Sequence, residues 1–399
     1  MNAPLNPAPA LIGSDAEALQ VAEALAEVLR AGAAQRDRER LLPHAELERF
    51  SRSGLWAISV PRAFGGAGVS SVTLARVIAR ISQADSSLGQ IPQNHFYALE
   101  ALRINGTAEQ QRRLYGEVLQ GQRFGNALAE LGTRTAHDRA TRLLPDGDNY
   151  RIDGRKFYAT GALYAQRIPT LAVDEQGVGY LAFVPRHAPG LEIIDDWSGF
   201  GQRTTGSGSV LLRQVPVAAE DVLPFQSAFE RPTTLGPFAQ LLHAAIDVGI
   251  ARAAYEDTLS FVRSSSRPWI DSGVDKASDD PLTLKAVGRL AIQLHAAEAL
   301  LERAGEILDQ AQAAPDAASV AAASIAVAEA RAISTEASLN IASKLFELAG
   351  SRATLAEHNL DRHWRNARTH TLHDPVRWKY HAVGNYYLNN ALPPRRGTL

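Results

Sequence analysis

The feature that most constrains the fold is a series of three long helical patterns in the second half of the chain. Apolar residues recur at helical spacing over 238–266, 282–312 and 318–350, and the third stretch ends at Gly350, a favoured helix C-cap residue. Long, alanine-rich segments of this kind favour an antiparallel helical bundle. One face of these helices is too apolar for a monomer, which predicts oligomerisation.

Two other patterns precede the bundle. The segment up to residue 123 has helical periodicity, and its Gly-rich turn at 59–70 lacks the spacing of a dinucleotide-binding loop. From Phe124 onward, short β-rich segments alternate with turn residues. We predict an α+β fold with an N-terminal α-helical domain (1–123), a central antiparallel β-barrel domain (124–226) and a C-terminal helical bundle (227–399) that carries the active site and the oligomer contacts.

Charge and hydropathy indicate a protein of the aqueous phase. The 399 residues carry a net charge of −2, so nothing favours a nucleic-acid or membrane-surface partner. The N-terminal segment has neither the basic start nor the apolar core of a secretory signal, and no apolar stretch free of charge is long enough to span a bilayer. We therefore expect a cytoplasmic protein.

The chain is nearly free of sulfur. It has no cysteine, and its one methionine is Met1. This composition excludes disulfides, thiolate metal sites and cysteine nucleophiles. Drift in a GC-rich genome, synthesis under sulfur starvation and protection from peroxide-like oxidants all explain the composition equally well.

A cluster of histidines lies near the C-terminus, in the stretch "RNARTHTLHDPVRWKYH" (365–381). His370, His373 and Asp374 are the groups within it that suit acid–base work, because an imidazole titrates near neutral pH. A metal site is the alternative, since His-x2-His-Asp supplies possible ligands. Pro375 follows at once and no second cluster matches, so we predict no metal.

Several motifs along the chain resemble those of the acyl-CoA dehydrogenase superfamily. They are "FGNALAE" (124–130), "KFYATGA" (156–162), "GFGQRTTGSGSV" (199–210) and "RNARTHTLHDP" (365–375). In the dehydrogenases the last segment ends in Tyr-Glu-Gly-Thr, and its glutamate is the catalytic base. Here the same place reads His373-Asp374-Pro375, which resembles the flavin-dependent monooxygenase branch that includes dibenzothiophene and sulfur-assimilation monooxygenases. "ADSSLGQ" and "RPWIDSGV" resemble that branch as well.

The resemblance implies a homotetrameric two-component monooxygenase. In such enzymes a separate NAD(P)H:FMN reductase supplies reduced FMN by diffusion, and the reaction with O2 gives a flavin C4a-hydroperoxide. The implied substrate is an organosulfur compound, such as a sulfide, sulfoxide or sulfone, used in sulfur assimilation. Three alternatives stay open: an FAD-dependent acyl-CoA dehydrogenase with Asp374 as the base, a flavin N-hydroxylase of an amine, and a non-catalytic helical scaffold.

The same resemblance assigns the site residues. The implied catalytic groups are His373, His95, Asn126, Thr160 and Asp374. The implied flavin contacts are Tyr158, Thr160, Asn126, Trp197, Arg203, Ser207, Ser209, Arg267 and His370. Arg203, Ser207, Ser209 and Arg267 are the candidates for the flavin phosphate, with Arg267 placed where the superfamily has an arginine that crosses a subunit interface.

A departure from the dehydrogenase pattern bears on the cofactor. The dehydrogenases bind the adenosine half of FAD with a Gln-x-x-Gly-Gly-x-Gly pattern. Here "FELAGSR" has Phe346, Ala349 and Arg352 in place of the glutamine and two of the glycines. Glycine allows close backbone approach and arginine does not, so we predict FMN rather than FAD.

Overall fold

The computed structural model describes residues 9–133, 135 and 138–399. The first eight residues of the predicted N-terminal domain therefore lie outside the described residues. The N-terminal helices are α1 (Asp15–Arg30), α2 (Ala33–Glu39), α3 (His44–Arg52), α4 (Ser71–Ala84), α5 (Ser86–Asn105) and α6 (Ala108–Leu119). Asp85 is the N-cap of helix α5: its side chain accepts hydrogen bonds from the Ser87 and Leu88 N–H groups and pairs with Arg36.

The central segment forms one seven-stranded sheet. Its strands are β1 (Arg142–Asp146), β2 (Asn149–Lys156), β3 (Arg167–Val173), β4 (Gly179–Pro185), β5 (Leu191–Ile194), β6 (Ser209–Val217) and β7 (Val222–Pro224). Their order across the sheet is β5-β6-β2-β1-β3-β4-β7. This sheet has an apolar core of its own, while Leu171, Leu181, Phe183 and Leu223 from β3, β4 and β7 belong to the larger core that the helices form.

The structure corrects one detail of the predicted sheet. The prediction was an antiparallel barrel, whereas β1 and β3 pair in parallel at Arg142 and Val173, so the sheet is mixed. The end strands of the order, β5 and β7, do not pair with each other within the described chain, which leaves the sheet open. The cause is the link from β2 to β3, which does not turn back as a hairpin. Instead it carries the chain across β1 to its far side, where β3 runs in the same direction as β1.

The C-terminal helices are α7 (Ser227–Glu230), α8 (Leu235–Ser264), α9 (Pro281–Ala313), α10 (Ala317–Ala349), α11 (Asp361–His370) and α12 (Arg377–Asn389). Helix α9 begins with Asp280 as its N-cap and Pro281 in its first turn, and α10 begins with a capping box between Asp316 and Ser319. Gly350 follows α10 with a φ of +78°, a conformation that glycine adopts without strain.

The long helices form the core of the molecule. α10 packs along both α8 and α9, and α8 also packs against α4 and α5 of the N-terminal domain. By length and composition alone α10 could cross a membrane, but 67% of its apolar window is buried against the rest of the protein. The predicted fold class, helices followed by a sheet domain and a helical bundle, is confirmed.

Candidate active site

The histidine cluster lies where α11 ends. His370 is the last residue of α11, and the chain then turns tightly, with the His373 N–H donating to the His370 carbonyl oxygen at 3.1 Å. Pro375 follows, and α12 begins at Arg377. This short turn places His370 inside the bundle and leaves the His373 side chain 47% exposed. One imidazole is therefore structural and buried, while the other is available to a ligand.

His373 is held by the carboxylate of its own neighbour. Its Nδ1 lies 3.1 Å from Asp374 Oδ2, which also accepts a hydrogen bond from Gln240 Nε2 at 2.9 Å. Burial would raise the pKa of Asp374, but His373, Lys379 and Arg331 together hold it well below its ordinary value. The carboxylate is therefore charged, so Nδ1 of His373 is the donor and Nε2 is left for a ligand.

A lysine supports the same carboxylate from α12. Lys379 Nζ donates to Gln240 Oε1 at 3.1 Å and to the Thr398 carbonyl oxygen. Burial lowers its pKa to about 8 even though the charge of Asp374 opposes that shift. Gln240 and Lys379 therefore fix Asp374 in one orientation, and through it the ring of His373.

A second hydrogen-bond network is centred on the buried His370. His370 Nδ1 is 2.5 Å from Asp247 Oδ1, and His370 Nε2 is 3.0 Å from His243 Nδ1. Arg331 donates to the other oxygen of Asp247. Burial alone would raise the pKa of Asp247, but Arg331 and His370 hold it below its ordinary value, so this carboxylate is also charged.

A second group of predicted site residues lies in the sheet domain. Asn126 lies in an extended segment beside β3, and its Nδ2 donates to the Tyr158 carbonyl oxygen at 3.1 Å. Its Oδ1 is buried and has no hydrogen-bond partner. Thr160, two residues after Tyr158, has its Oγ1 at 2.7 Å from Ser207 Oγ. An unpartnered buried acceptor is costly, so Asn126 Oδ1 marks a place where a ligand can donate.

An aromatic pair borders this group. Tyr158 has a positive φ of 54° and an exposed ring that meets Trp197 edge-on at 6.1 Å. The indole of Trp197 is fixed because its Nε1 donates to the Gln202 carbonyl oxygen at 2.9 Å. Two aromatic rings held beside polar side chains can border a flat aromatic ligand.

The predicted phosphate contacts are not all available. Ser209 Oγ donates to Asp196 Oδ2 at 2.7 Å, and a carboxylate at this position repels a phosphate. The prediction for Ser209 is therefore wrong. Ser207 is already bonded to Thr160 and Thr205, which places its hydroxyl with the polar group near Asn126. The two arginines remain candidates: Arg203 donates only to the Arg38 carbonyl oxygen among the described residues, and Arg267 is exposed just after α8.

His95 is not brought to the cluster. Its Nε2 donates to the Trp56 carbonyl oxygen at 2.8 Å, and its Nδ1 accepts from the Phe124 N–H at 3.0 Å. The ring is fully buried among aromatic side chains. Because both nitrogens are bonded to the main chain, the structure contradicts the predicted catalytic role of His95, and we assign it to the core.

The buried state of His95 gives a testable stability effect. Burial lowers the pKa of His95 from 6.5 to about 3. Between pH 6.5 and pH 3, this imidazole is therefore protonated in the unfolded chain and neutral in the folded chain. We expect this residue to remove about 2 kcal/mol from the free energy of unfolding between pH 7 and pH 5. Urea unfolding at both pH values should therefore show a smaller pH-dependent loss for His95→Gln than for the wild type. The exposed His187→Gln is the control, and an equal loss in both variants would contradict the assignment.

The turn between Trp197 and Ser207 connects the sheet-domain group to the helix that carries the histidine cluster. Gln202 N–H donates to Asn366 Oδ1 on α11 at 2.6 Å, and Arg365 Nη1 donates to the Phe200 carbonyl oxygen at 2.9 Å. A Cβ at Gly201 would lie 2.0 Å from the Arg365 carbonyl oxygen, so only glycine fits this contact. This turn therefore packs directly on the helix that ends at His370.

Sequence reasoning missed the residues that support the histidines. His243, Asp247 and Gln240 belong to α8, outside every motif that we recognised. Lys379 belongs to α12 and lies within the 365–381 stretch, but it was not predicted as a site residue. The i, i+4 spacing of His243 and Asp247 places both on one helix face and was an available signal. Within the described ranges, no group of three or more His, Cys, Asp or Glu side chains has an arrangement that would hold a metal ion.

The comparisons with known proteins agree over nearly the whole chain. The family descriptions "Acyl-CoA dehydrogenase, N-terminal domain" and "Acyl-CoA dehydrogenase, C-terminal domain" match residues 16–122 and 241–378. Dibenzothiophene monooxygenase of Rhodococcus qingshengii is 33% identical over 396 residues, 95% of each chain. The probable FMNH2-dependent monooxygenase SfnC of Pseudomonas putida is 33% identical over 402 residues, 98% of each chain.

Solved structures give the same result. FMN-bound TdsC from Paenibacillus sp. A11-2 has a TM-score of 0.92 at 33% identity, covering 96% of this chain and 100% of that one. Methanesulfinate monooxygenase MsuC from Pseudomonas fluorescens has a TM-score of 0.89 at 32% identity, covering 96% of this chain and 99% of that one. The family predicted from the motifs is confirmed: this chain belongs to the acyl-CoA dehydrogenase superfamily.

Proposed function

We propose that this protein is a two-component monooxygenase that uses reduced FMN and O2 to oxygenate a small organosulfur compound in the cytoplasm. Relatives that match along nearly the whole chain are named as monooxygenases of dibenzothiophene and methanesulfinate. The observation that carries the proposal is the His373-Asp374 pair. It combines an accessible imidazole with a buried carboxylate that orients it, in a segment that resembles the glutamate-bearing segment of the dehydrogenases.

The site residues fit a reduced flavin. A reduced isoalloxazine ring carries N–H groups, and Asn126 Oδ1 is a buried acceptor without a partner. The paired hydroxyls of Thr160 and Ser207 lie on the same side, and Tyr158 and Trp197 border the group with aromatic surface. FMN is favoured over FAD because Phe346, Ala349 and Arg352 replace the residues of the adenosine pattern. When it is bound, reduced FMN supplies the two electrons that activate O2.

The protein's own groups then have defined tasks. His373 holds or moves one proton at Nε2, and the charged Asp374 fixes its tautomer by accepting from Nδ1. Asn126 and the Thr160 hydroxyl orient the ring edge through hydrogen bonds. Trp197 and Tyr158 keep water from that edge, which protects an oxygen-activating site against loss of oxidant as hydrogen peroxide.

The dehydrogenase alternative is disfavoured by the state of Asp374. That carboxylate is almost fully buried and already accepts hydrogen bonds from His373 and Gln240. Its pKa is held well below the ordinary range, so it is a weak base. Abstraction of a proton next to a thioester needs a base that reaches its substrate and accepts the proton readily. Asp374 meets neither requirement.

The proposal includes two kinds of partner. A separate NAD(P)H:FMN reductase delivers the flavin by diffusion. A homotetramer is proposed because large apolar side chains are exposed on the outer helices and the loop before α9. They are Trp269, Ile270, Leu282, Leu284, Ile292, Trp378, Tyr387 and Leu388. Arg267 lies beside this surface, and we propose that it contacts flavin phosphate across a subunit interface.

The proposed function is tested by product analysis. We expect the protein, supplied with FMN, NADH and a flavin reductase, to convert a sulfide or a sulfinate with incorporation of one oxygen atom from ¹⁸O2, followed by mass spectrometry. A panel of sulfides, sulfoxides, sulfinates and amines separates S-oxygenation from N-hydroxylation. Anaerobic oxidation of acyl-CoA, or absence of flavin binding in titration, would contradict the proposal.

The nearly sulfur-free composition agrees with synthesis during sulfur starvation.

A further inference from the structure

His243 lies at the centre of the C-terminal bundle and belongs to no motif. It precedes Asp247 by one turn of α8, so both side chains face the end of α11. His243, Asp247, His370 and Arg331 are each between 0 and 3% exposed. Polar groups this deeply buried need hydrogen-bond partners, so the donors and acceptors of the two histidines and of Asp247 are strongly constrained.

The hydrogen bonds assign the protons along this line. Asp247 is charged, so it accepts from His370 Nδ1 at 2.5 Å. Burial lowers the pKa of His370 despite the nearby carboxylate, so His370 is neutral and its Nε2 has no proton. The 3.0 Å contact between His370 Nε2 and His243 Nδ1 then requires His243 to donate from Nδ1.

His243 is also neutral, for a cause shared with its neighbours. The titratable groups that act on it are His370 on α11, His373 in the turn, Arg331 on α10 and Lys379 on α12. Asp247 lies one turn further along α8, and Asp374 is bonded to His373. Burial and the positive charges among them lower the pKa of His243 far below its ordinary value. Its ring therefore carries a single proton, on Nδ1, and stays uncharged.

The face of this neutral ring meets His373. The two ring centroids are 4.0 Å apart with an interplanar angle of 38°. His373 is therefore fixed at two points, by Asp374 at Nδ1 and by His243 against its ring plane. A rigid support of this kind is what orients a proton-transferring group, because small displacements at a reacting atom cost much rate.

We propose that His243 is a positioning residue for His373: the Asp247–His370–His243 line holds a neutral imidazole against the ring that handles the proton. When His373 takes up a proton at Nε2, it becomes a cation in contact with His243. A neutral neighbour tolerates that charge, whereas a protonated His243 at the same distance would repel it. The inference rests on the proposed function, since it assumes that His373 cycles its proton during turnover.

The first test measures the proton directly and needs no flavin. In ¹⁵N-histidine-labelled protein, long-range ¹H–¹⁵N spectra distinguish the two neutral ring forms from the imidazolium, and the His243 signals are those lost in His243→Phe. We expect His243 to be neutral with its proton on Nδ1 at every pH from 8 to 5. A protonated ring at pH 6, or a proton on Nε2, would overturn the proposal.

The second test separates the hydrogen bond from the ring contact. His243→Phe keeps a ring against His373 but loses the bond to His370, and His243→Asn keeps a donor near the Nδ1 position but loses the ring. We expect each variant to lower the fraction of consumed O2 that appears as product by about tenfold. We expect flavin binding to stay within about twofold of the wild type, because neither variant alters Asn126 or Thr160.

The controls keep the two proposals distinguishable. His187→Phe and His187→Asn make the same changes at an exposed histidine of the sheet domain and should leave coupling unchanged. Normal coupling in both His243 variants would overturn the positioning role. If the wild-type protein makes no oxygenated product from the whole panel, the proposed function fails, and the ring-proton measurement still decides the state of His243.

Discussion

Replacing His373 with asparagine is expected to lower the rate of oxygenated product formation by about 100-fold or more, the usual contribution of a general acid or base. Asparagine can still donate to Asp374 Oδ2 in place of Nδ1, so the turn before Pro375 should keep its shape. The asparagine side chain, however, cannot take up or release a proton near neutral pH. The measured quantities are product by mass spectrometry and hydrogen peroxide by a coupled peroxidase assay.

The distribution of oxidant distinguishes this role from general damage. We expect flavin titration of His373→Asn to match the wild type while hydrogen peroxide replaces product, because the variant still admits flavin and O2 but lacks the proton-handling group. The matched control is His381→Asn on α12, whose exposed ring contacts Trp378 rather than the buried network. Product formation at the wild-type rate in His373→Asn would remove His373 from the mechanism.

The fold was largely readable because its determinants are local. The long helices carry their own periodicity and caps, as at Asp280 and Gly350, and the sheet strands are marked by turn residues. The parallel pairing of β1 with β3 was not readable. Strand order depends on contacts between segments distant in the chain, and no local pattern of residues specifies it.

The site was readable only where its residues are neighbours in sequence. His373 and Asp374 are adjacent, so their contact follows from the motif. His370 and Asp247 are in contact although they lie 123 positions apart in the sequence, and no local sequence pattern predicts that contact. The errors at Ser209 and His95 have the same origin, because the partners that occupy their polar atoms come from other segments.

Removing Arg331 alone is expected to lower the free energy of unfolding by about 3–5 kcal/mol, since it leaves the buried charge of Asp247 without its partner. Arg331→Met has a similar length and no charge, so the loss should come mainly from the uncompensated carboxylate. The measurement is urea unfolding followed by circular dichroism. Arg303→Met is the control: its ion pair with Glu329 is partly exposed, and its loss should cost no more than about 1 kcal/mol. A comparable small loss in both variants would contradict the prediction.

Adding Asp247→Asn to Arg331→Met should recover most of the lost stability, because neither member of the pair is then charged. Two nitrogens of Arg331, Nε and Nη2, have no hydrogen-bond partner, so its removal leaves few groups unsatisfied. The asparagine Oδ1 can still accept from His370 Nδ1, so His370 Nε2 still accepts from His243. If the ion pair serves only to hold the His370–Asp247 hydrogen bond, the double variant should couple O2 consumption to product formation as the wild type does, and should also recover stability. Recovery of stability without coupling would show that the charge of Asp247, and not its geometry alone, sets the state of the histidines.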